Sequence, residues 1–215
     1  MPIATYPTQF QQAVRALQHI LNTGISPADI LITGDSAGGM LALQMISHYL
    51  HPHPSVSALP IPPVPFAGLL LISPWVVFDS DAPSFVNGDN DCLPGEAITQ
   101  WERIMRQWNL PLDTKSEPEE YWREPLRAPQ DWWSDIEKVT KHIMFTYGGW
   151  ECLRDDILSL VEKFRKGVTG EKVDIVTATQ PRDLHVGPTL DALNKRPPGI
   201  LTKLTAEWVH DRLVV

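Results

Sequence analysis

The sequence predicts an α/β fold: a mostly parallel sheet with helices on both faces and a cap segment set between its strands. Three observations carry this. Short apolar runs at 30–33, 68–73, 142–147 and 173–177 have the length of strands buried on both faces. Stretches of helical periodicity fall between them, so strand and helix alternate as parallel crossovers require. The turn Gly34-Asp35-Ser36-Ala37-Gly38 joins the first run directly to a helix.

The elements follow in order. Thr8 and Gln11 have the spacing of a capping box, and Phe10, Ala13, Val14, Leu17 and Leu21 then recur on one helical face, with Gly24 placed to stop the helix. Ile30-Leu31-Ile32-Thr33 is the first strand. Met40, Leu41, Leu43, Gln44, Met45 and Ile46 belong to a helix that runs to about Leu50. Prolines at 52, 54, 60, 62, 63 and 65 make the next stretch a loop, since proline neither extends a helix nor donates to a ladder. The run 68–73 is the second strand, closed by Pro74. Residues 79–95 read as loop and 96–108 as an amphipathic helix carrying Ile98, Trp101, Ile104, Met105 and Trp108. The stretch 109–134 is polar, proline-punctuated and tryptophan-rich, and 79–134 as a whole is the expected cap-like insertion in one domain of 215 residues. His142–Tyr147 is the third strand, 153–166 a helix with Leu153, Ile157, Leu160, Val161 and Phe164 on one face, 173–177 the fourth strand and 199–213 the last helix.

Bulk properties narrow the function classes. A hydrophobic share of 43% and a charged share of 20% are those of a water-soluble globular protein. A net charge of −8 argues against nucleic acid or an anionic membrane as partner. The apolar stretches near 66–78 are too short to span a bilayer, which argues against stable membrane insertion. No basic and then apolar leader opens the chain, and Cys92 and Cys152 are too few for a disulfide scaffold, so a cytoplasmic location is expected. The eight tryptophans serve core packing or pocket walls; Trp75, after a strand end, and Trp150, beside an acidic segment, are the better wall candidates.

The turn at 34–38 has the G-x-S-x-G pattern of a nucleophile elbow. Gly34 and Gly38 are expected to leave room where a Cβ would meet neighbouring backbone, and the Ala37 N–H faces the place where an oxyanion would form. A glycine-flanked serine also occurs in phosphate-binding loops, but their lysine is missing here. Asp35 is expected to support the elbow. A serine hydroxyl needs a base to take its proton and a carboxylate to orient that base. Behind the third strand lie Glu151, Asp155 and Asp156, and behind the fourth lies His185, so serine, acid and histidine come in the order this architecture uses. His19, His142 and His210 lie on strand or helix positions away from the strand ends, and His48, His51 and His53 follow Ser36 too closely. His51 and His53 have no suitably spaced carboxylate or cysteine, so neither a metal nor another cofactor is expected.

On these residues the sequence resembles the hormone-sensitive-lipase-like branch of the α/β-hydrolases, its fungal esterase-like members in particular. Gly34-Asp35-Ser36-Ala37-Gly38-Gly39 matches that family's GDSAGG elbow letter for letter, and Glu151-Cys152-Leu153-Arg154-Asp155-Asp156 is similar to its D-x-L-R-D-E. The resemblance implies that Glu151 is the acid, leaving Asp155 and Asp156, a turn into the helix, to face solvent or pair with Arg154. Leu184-His185-Val186 occupies the place of the family histidine, and Glu124–Pro129 is similar to the segment before the acid-bearing strand. The resemblance extends from Tyr6 onward. It implies a carboxylic-ester hydrolase acting on small or medium apolar small-molecule esters, such as an acetylated metabolite, without a cofactor. An amide or arylformamide hydrolase would use the same residues. The family also carries an upstream HGGG-type loop and earlier strands that find no counterpart before Ser36, so an N-terminal truncation is expected, and with it the rival reading of a non-catalytic remnant.

Overall fold

β-Branched and leucine-rich runs form four strands, Leu31–Asp35 (β1), Gly68–Ile72 (β2), His142–Gly148 (β3) and Asp174–Gln180 (β4). They make one all-parallel sheet in the order β1-β2-β3-β4, in the computed structural model, which describes residues 6–107, 117–168 and 173–213. Parallel pairing sets Asp35 opposite Ile72, Ile72 opposite Thr146 and Gly148 opposite Gln180. The C-terminal ends of all four strands therefore lie along one edge, where an open α/β sheet places its ligands.

Helices cover both faces, as the alternation predicts. Thr8–Asn22 (α1), Ala37–Leu50 (α2) and Arg154–Gly167 (α5) pack on one face. Phe10, Leu43, Ile46, Leu160 and Phe164 there meet Leu69, Leu71, Ile143 and Phe145 of the sheet. Leu70 and Met144 point the other way, as a period of two demands, onto Leu201 and Trp208 of the C-terminal helix Ile200–Leu213 (α7). Between β2 and β3 run a 3-10 turn at Pro83–Asp89 and the helices Gly95–Gln107 (α3) and Glu117–Arg123 (α4). Trp108 lies outside the described residues. Trp133, later in this stretch, is fully buried and stacks on Phe164 at 4.6 Å between ring centroids.

Two details differ from the sequence reading. The capping box at Thr8 does not form: Pro7 is the N-cap, and the Gln11 amide donates instead to the Ser55 carbonyl at 2.7 Å. That bond ties α1 to the proline-rich loop, and a long-range partner outcompetes the local one. A short helix, Gly187–Leu193 (α6), also follows β4 where the sequence shows no periodicity; its seven residues are too few to display one. Gly24 does end α1, at φ +89°, in the left-handed region.

The last turn of α2 carries a buried acid-sensitive group. His48 is fully buried, its Nδ1 accepts the His53 amide at 2.9 Å, and its Nε2 therefore carries the proton that meets the Ser57 carbonyl at 2.8 Å. Burial holds its pKa below the ordinary 6.5. Protonating Nδ1 would remove an acceptor and leave a charge in an apolar site. Above pH 6.5 neither state binds the extra proton; below it the unfolded chain does first, so stability falls as pH drops. We expect the urea midpoint to fall from pH 7 to pH 5, His48 contributing up to about 1.4 kcal/mol per pH unit. His48→Gln should flatten that dependence; equal slopes in both proteins would remove His48 from this account.

Candidate active site

The elbow is held by backbone bonds from both sides. Ser36 adopts φ 51° and ψ −118°, a conformation that costs a non-glycine residue about 1–3 kcal/mol. Its N–H donates to the Ile72 carbonyl at 3.0 Å, and its own carbonyl accepts from Trp75 N–H at 3.0 Å and Met40 N–H at 3.2 Å. A Cβ on Gly34 would stand 2.2 Å from the Gly38 carbonyl oxygen, and one on Gly39 would stand 2.8 Å from Pro74 Cβ. At Gly38 the nearest atom would be Asp35 Oδ1 at 3.7 Å, an ordinary contact. The steric need therefore falls on Gly34 and Gly39, and not on Gly38 as expected, because only 34 and 39 face another chain segment. Asp35 supports the elbow from outside, accepting from Thr189 Oγ1 of α6 at 3.1 Å.

His185 lies in the turn after β4, buried, with Nε2 2.9 Å from Ser36 Oγ. Its Nδ1 faces Glu151 Oε1 at 3.6 Å, and Glu151 is fully buried. The other carboxylate oxygen of Glu151, Oε2, accepts from Ser73 Oγ at 2.6 Å and Gly148 N–H at 2.7 Å. With Oε2 committed to those two donors, Oε1 is the oxygen presented to the imidazole. The structure thus brings Ser36, His185 and Glu151 into one line across the edge of the sheet. Ala37 opens α2, so its N–H has no acceptor within the helix and points outward at the positive end of the helix dipole.

The neighbouring acids go elsewhere. Asp155 binds Arg154 at 2.8 Å, which holds its carboxyl below the usual range, and its Oδ2 accepts the Ser84 amide at 2.9 Å. Asp156 does not face solvent as expected: it is buried, and burial pushes its carboxyl upward. It turns inward because the first helical turn of α5 packs against the segment after β2. His19 and His210 are exposed on helices, while His51 stacks on Trp132 at 3.7 Å and lends Nε2 to its carbonyl. Among the described residues no group of three or more His, Cys, Asp or Glu could hold a metal ion, and both cysteines are free thiols. No described helix is long and apolar enough to cross a membrane.

A cavity of about 400 Å³ opens beside Ser36, lined by Ala37, Trp75, Leu93, Ile98, Trp101, Ile104, Met105 and Leu153. Trp75 is a wall of this cavity, as expected. Trp150 is not: it is half exposed, stacked under the Arg182 guanidinium at 5.6 Å. Trp101 of α3 takes that place. Ser73 is a further site residue that motif reading missed. It sits at φ 46° immediately after β2, and a serine at the C-terminal end of a buried parallel strand is the one signal that marks it.

A parallel sheet with helices on both faces and a serine elbow at its C-terminal edge defines an α/β hydrolase. The chain belongs to the alpha/beta hydrolase fold family, whose pattern it matches over residues 1–182. Its fold is similar to that of a hormone-sensitive lipase from a metagenome library, at 22% identity and a TM-score of 0.73, over 99% of this chain and 64% of that one. An esterase from the bacterial hormone-sensitive lipase family is similar over 99% of this chain and 63% of its own, at 21% identity and a TM-score of 0.69. An esterase/lipase from an uncultured bacterium is similar over 100% and 63%, at 19% identity and a TM-score of 0.70. The chain thus spans somewhat less than two thirds of the length of these structures. Among curated proteins no relative matches it.

Proposed function

We propose that this chain carries the catalytic residues of a carboxylic-ester hydrolase acting through an acyl-enzyme on Ser36. The single observation that carries the reading is the 2.9 Å contact of His185 Nε2 with Ser36 Oγ at the mouth of an apolar cavity. His185 takes the Ser36 proton as the hydroxyl attacks the ester carbonyl, and Glu151 stabilises the imidazolium that results. The Ala37 N–H donates to the developing oxyanion. His185 then protonates the leaving alcohol, and a water activated by the same imidazole releases the acid. The nearly all-apolar lining favours a small or medium apolar acyl group, with 79–134 acting as the cap whose helix α3 roofs it. The esterase and lipase names of the structural neighbours support the same reaction class.

Ser36→Ala tests the reading. It should abolish turnover of p-nitrophenyl acetate and butyrate and remove labelling by a fluorophosphonate probe, with an unfolding midpoint close to the parent's. Turnover that survives the substitution sinks the assignment. A parent protein that neither turns over ester nor takes the label points to the non-catalytic reading. Arylformamide substrates in the same assay decide between ester and amide preference.

A further inference from the structure

Ser36, Glu151 and His185 sit in the turns that follow β1, β3 and β4, and a fourth segment ties the last two turns together. Cys152, next to Glu151, and His185 both lie in irregular backbone, and both are buried. Buried main-chain groups of this kind need partners, and here no ladder or helix supplies them. Asp91 Oδ2 accepts the Cys152 N–H at 3.0 Å, and Ser84 Oγ donates to the Cys152 carbonyl at 2.8 Å. Asp91 Oδ1 accepts the His185 N–H at 2.8 Å, and the Cys92 thiol donates to the His185 carbonyl at 3.3 Å. The N–H and the C=O of both residues are thus satisfied from the single stretch 84–92.

We propose that Asp91 is a positioning residue that fixes the acid-bearing and histidine-bearing loops to each other, its Oδ2 holding the Cys152 amide and its Oδ1 the His185 amide together with that of Cys92 beside it, with Ser84 and Cys92 closing the strap. This rests on the Ser36–His185–Glu151 reading above. The distance between Glu151 Oε1 and His185 Nδ1, 3.6 Å here, is set by where the two backbones stand, and Asp91 bonds both, beside the direct bond of the Trp150 N–H to the Asp183 carbonyl at 2.9 Å. Ser73 makes a second tie, from the sheet side: its Oγ accepts Val186 N–H at 3.0 Å while donating to Glu151. The strap differs in that it belongs to the segment that walls the cavity through Leu93. One stretch of chain therefore both bounds the acyl site and spaces the base from its acid.

The titratable groups around the His185 loop are Glu151 after β3, Asp91 and Cys92 of the strap, and Asp183 on the loop itself, whose Oδ1 accepts the Leu184 N–H. The test follows the His185 ring Nδ1–H by proton NMR in the intact chain at fixed pH, its signal identified by loss in His185→Gln. Fluorophosphonate labelling of Ser36 is measured in parallel. Asparagine at 91 keeps one acceptor but sets an NH2 against the other N–H, while alanine loses both. Asp91→Asn should move the Nδ1–H signal upfield, as Glu151 Oε1 draws away from it, and slow labelling by about tenfold, and Asp91→Ala should slow it further. Asp89→Asn, exposed and two residues away, should leave both readings at the parent's values. Parent-like signals and rates in both Asp91 variants overturn the proposal, as does an equal change in Asp89→Asn. If the parent takes no label, the hydrolase reading fails, and the Nδ1–H signal alone still decides the role of Asp91.

Discussion

Glu151→Gln is expected to lower kcat for ester hydrolysis by about three to four orders of magnitude while leaving KM within about twofold. The reason is a tautomer. In the parent, Oε2 is occupied by Ser73 Oγ and Gly148 N–H, so only an oxygen tolerates that side of the carboxyl. A glutamine is therefore forced to turn its NH2 toward His185 Nδ1. The amide then donates to Nδ1, the ring proton moves to Nε2, and Nε2 can no longer accept from Ser36. Substrate binding in the apolar cavity is untouched, which is why KM should hold. Asp155→Asn is the matched control, since Asp155 is committed to Arg154 and Ser84. A Glu151→Gln protein within tenfold of the parent would remove Glu151 from the acid role, and a larger loss in Asp155→Asn would reassign it.

Gly34→Ala is expected to destabilise the fold by about 3 kcal/mol or more and to eliminate fluorophosphonate labelling. The added Cβ would stand 2.2 Å from Gly38 O and 2.3 Å from Gly38 C, both backbone atoms at the start of α2. No side chain can swing away to make room. The chain would have to move α2 off β1, giving up contacts of the buried Met40, Leu43 and Ile46 in the main core. Gly38→Ala, with only Asp35 Oδ1 at 3.7 Å, should change stability by less than about 1 kcal/mol, and alanine favours a helix over glycine by a similar amount. Urea unfolding of the two variants side by side checks this. Similar midpoints for both would contradict the steric account of the elbow.

The elements were legible because most of their apolar residues face a core through simple periods. Leu69 and Leu71 against Leu70 is a period of two, and Phe10, Val14 and Leu17 a helical one. Misreadings came where a long-range partner overrode a local signal. Gln11 has the right spacing for a capping box but bonds Ser55, 44 residues away. Asp156 looks like a solvated helix-start carboxylate, yet the segment after β2 buries it. Trp150 adjoins the acid in sequence and still points out of the cavity, whereas Trp101 reaches it from α3.

The sequence by itself determined the parallel sheet, the serine elbow and the order of serine, acid and histidine, because those follow from strand periodicity, glycine sterics and chain connectivity. Only the tertiary structure decided which acid meets the imidazole, which glycines the elbow requires, and that Ser73, Ser84, Asp91 and Cys92 surround the site. The physical reason is range. Buried polar groups take whatever partner the fold brings near. Apart from Gly148, the partners of Glu151, Cys152 and His185 lie from 34 residues away along the chain, between Glu151 and His185, to 149, between His185 and Ser36. No local pattern records such a pairing.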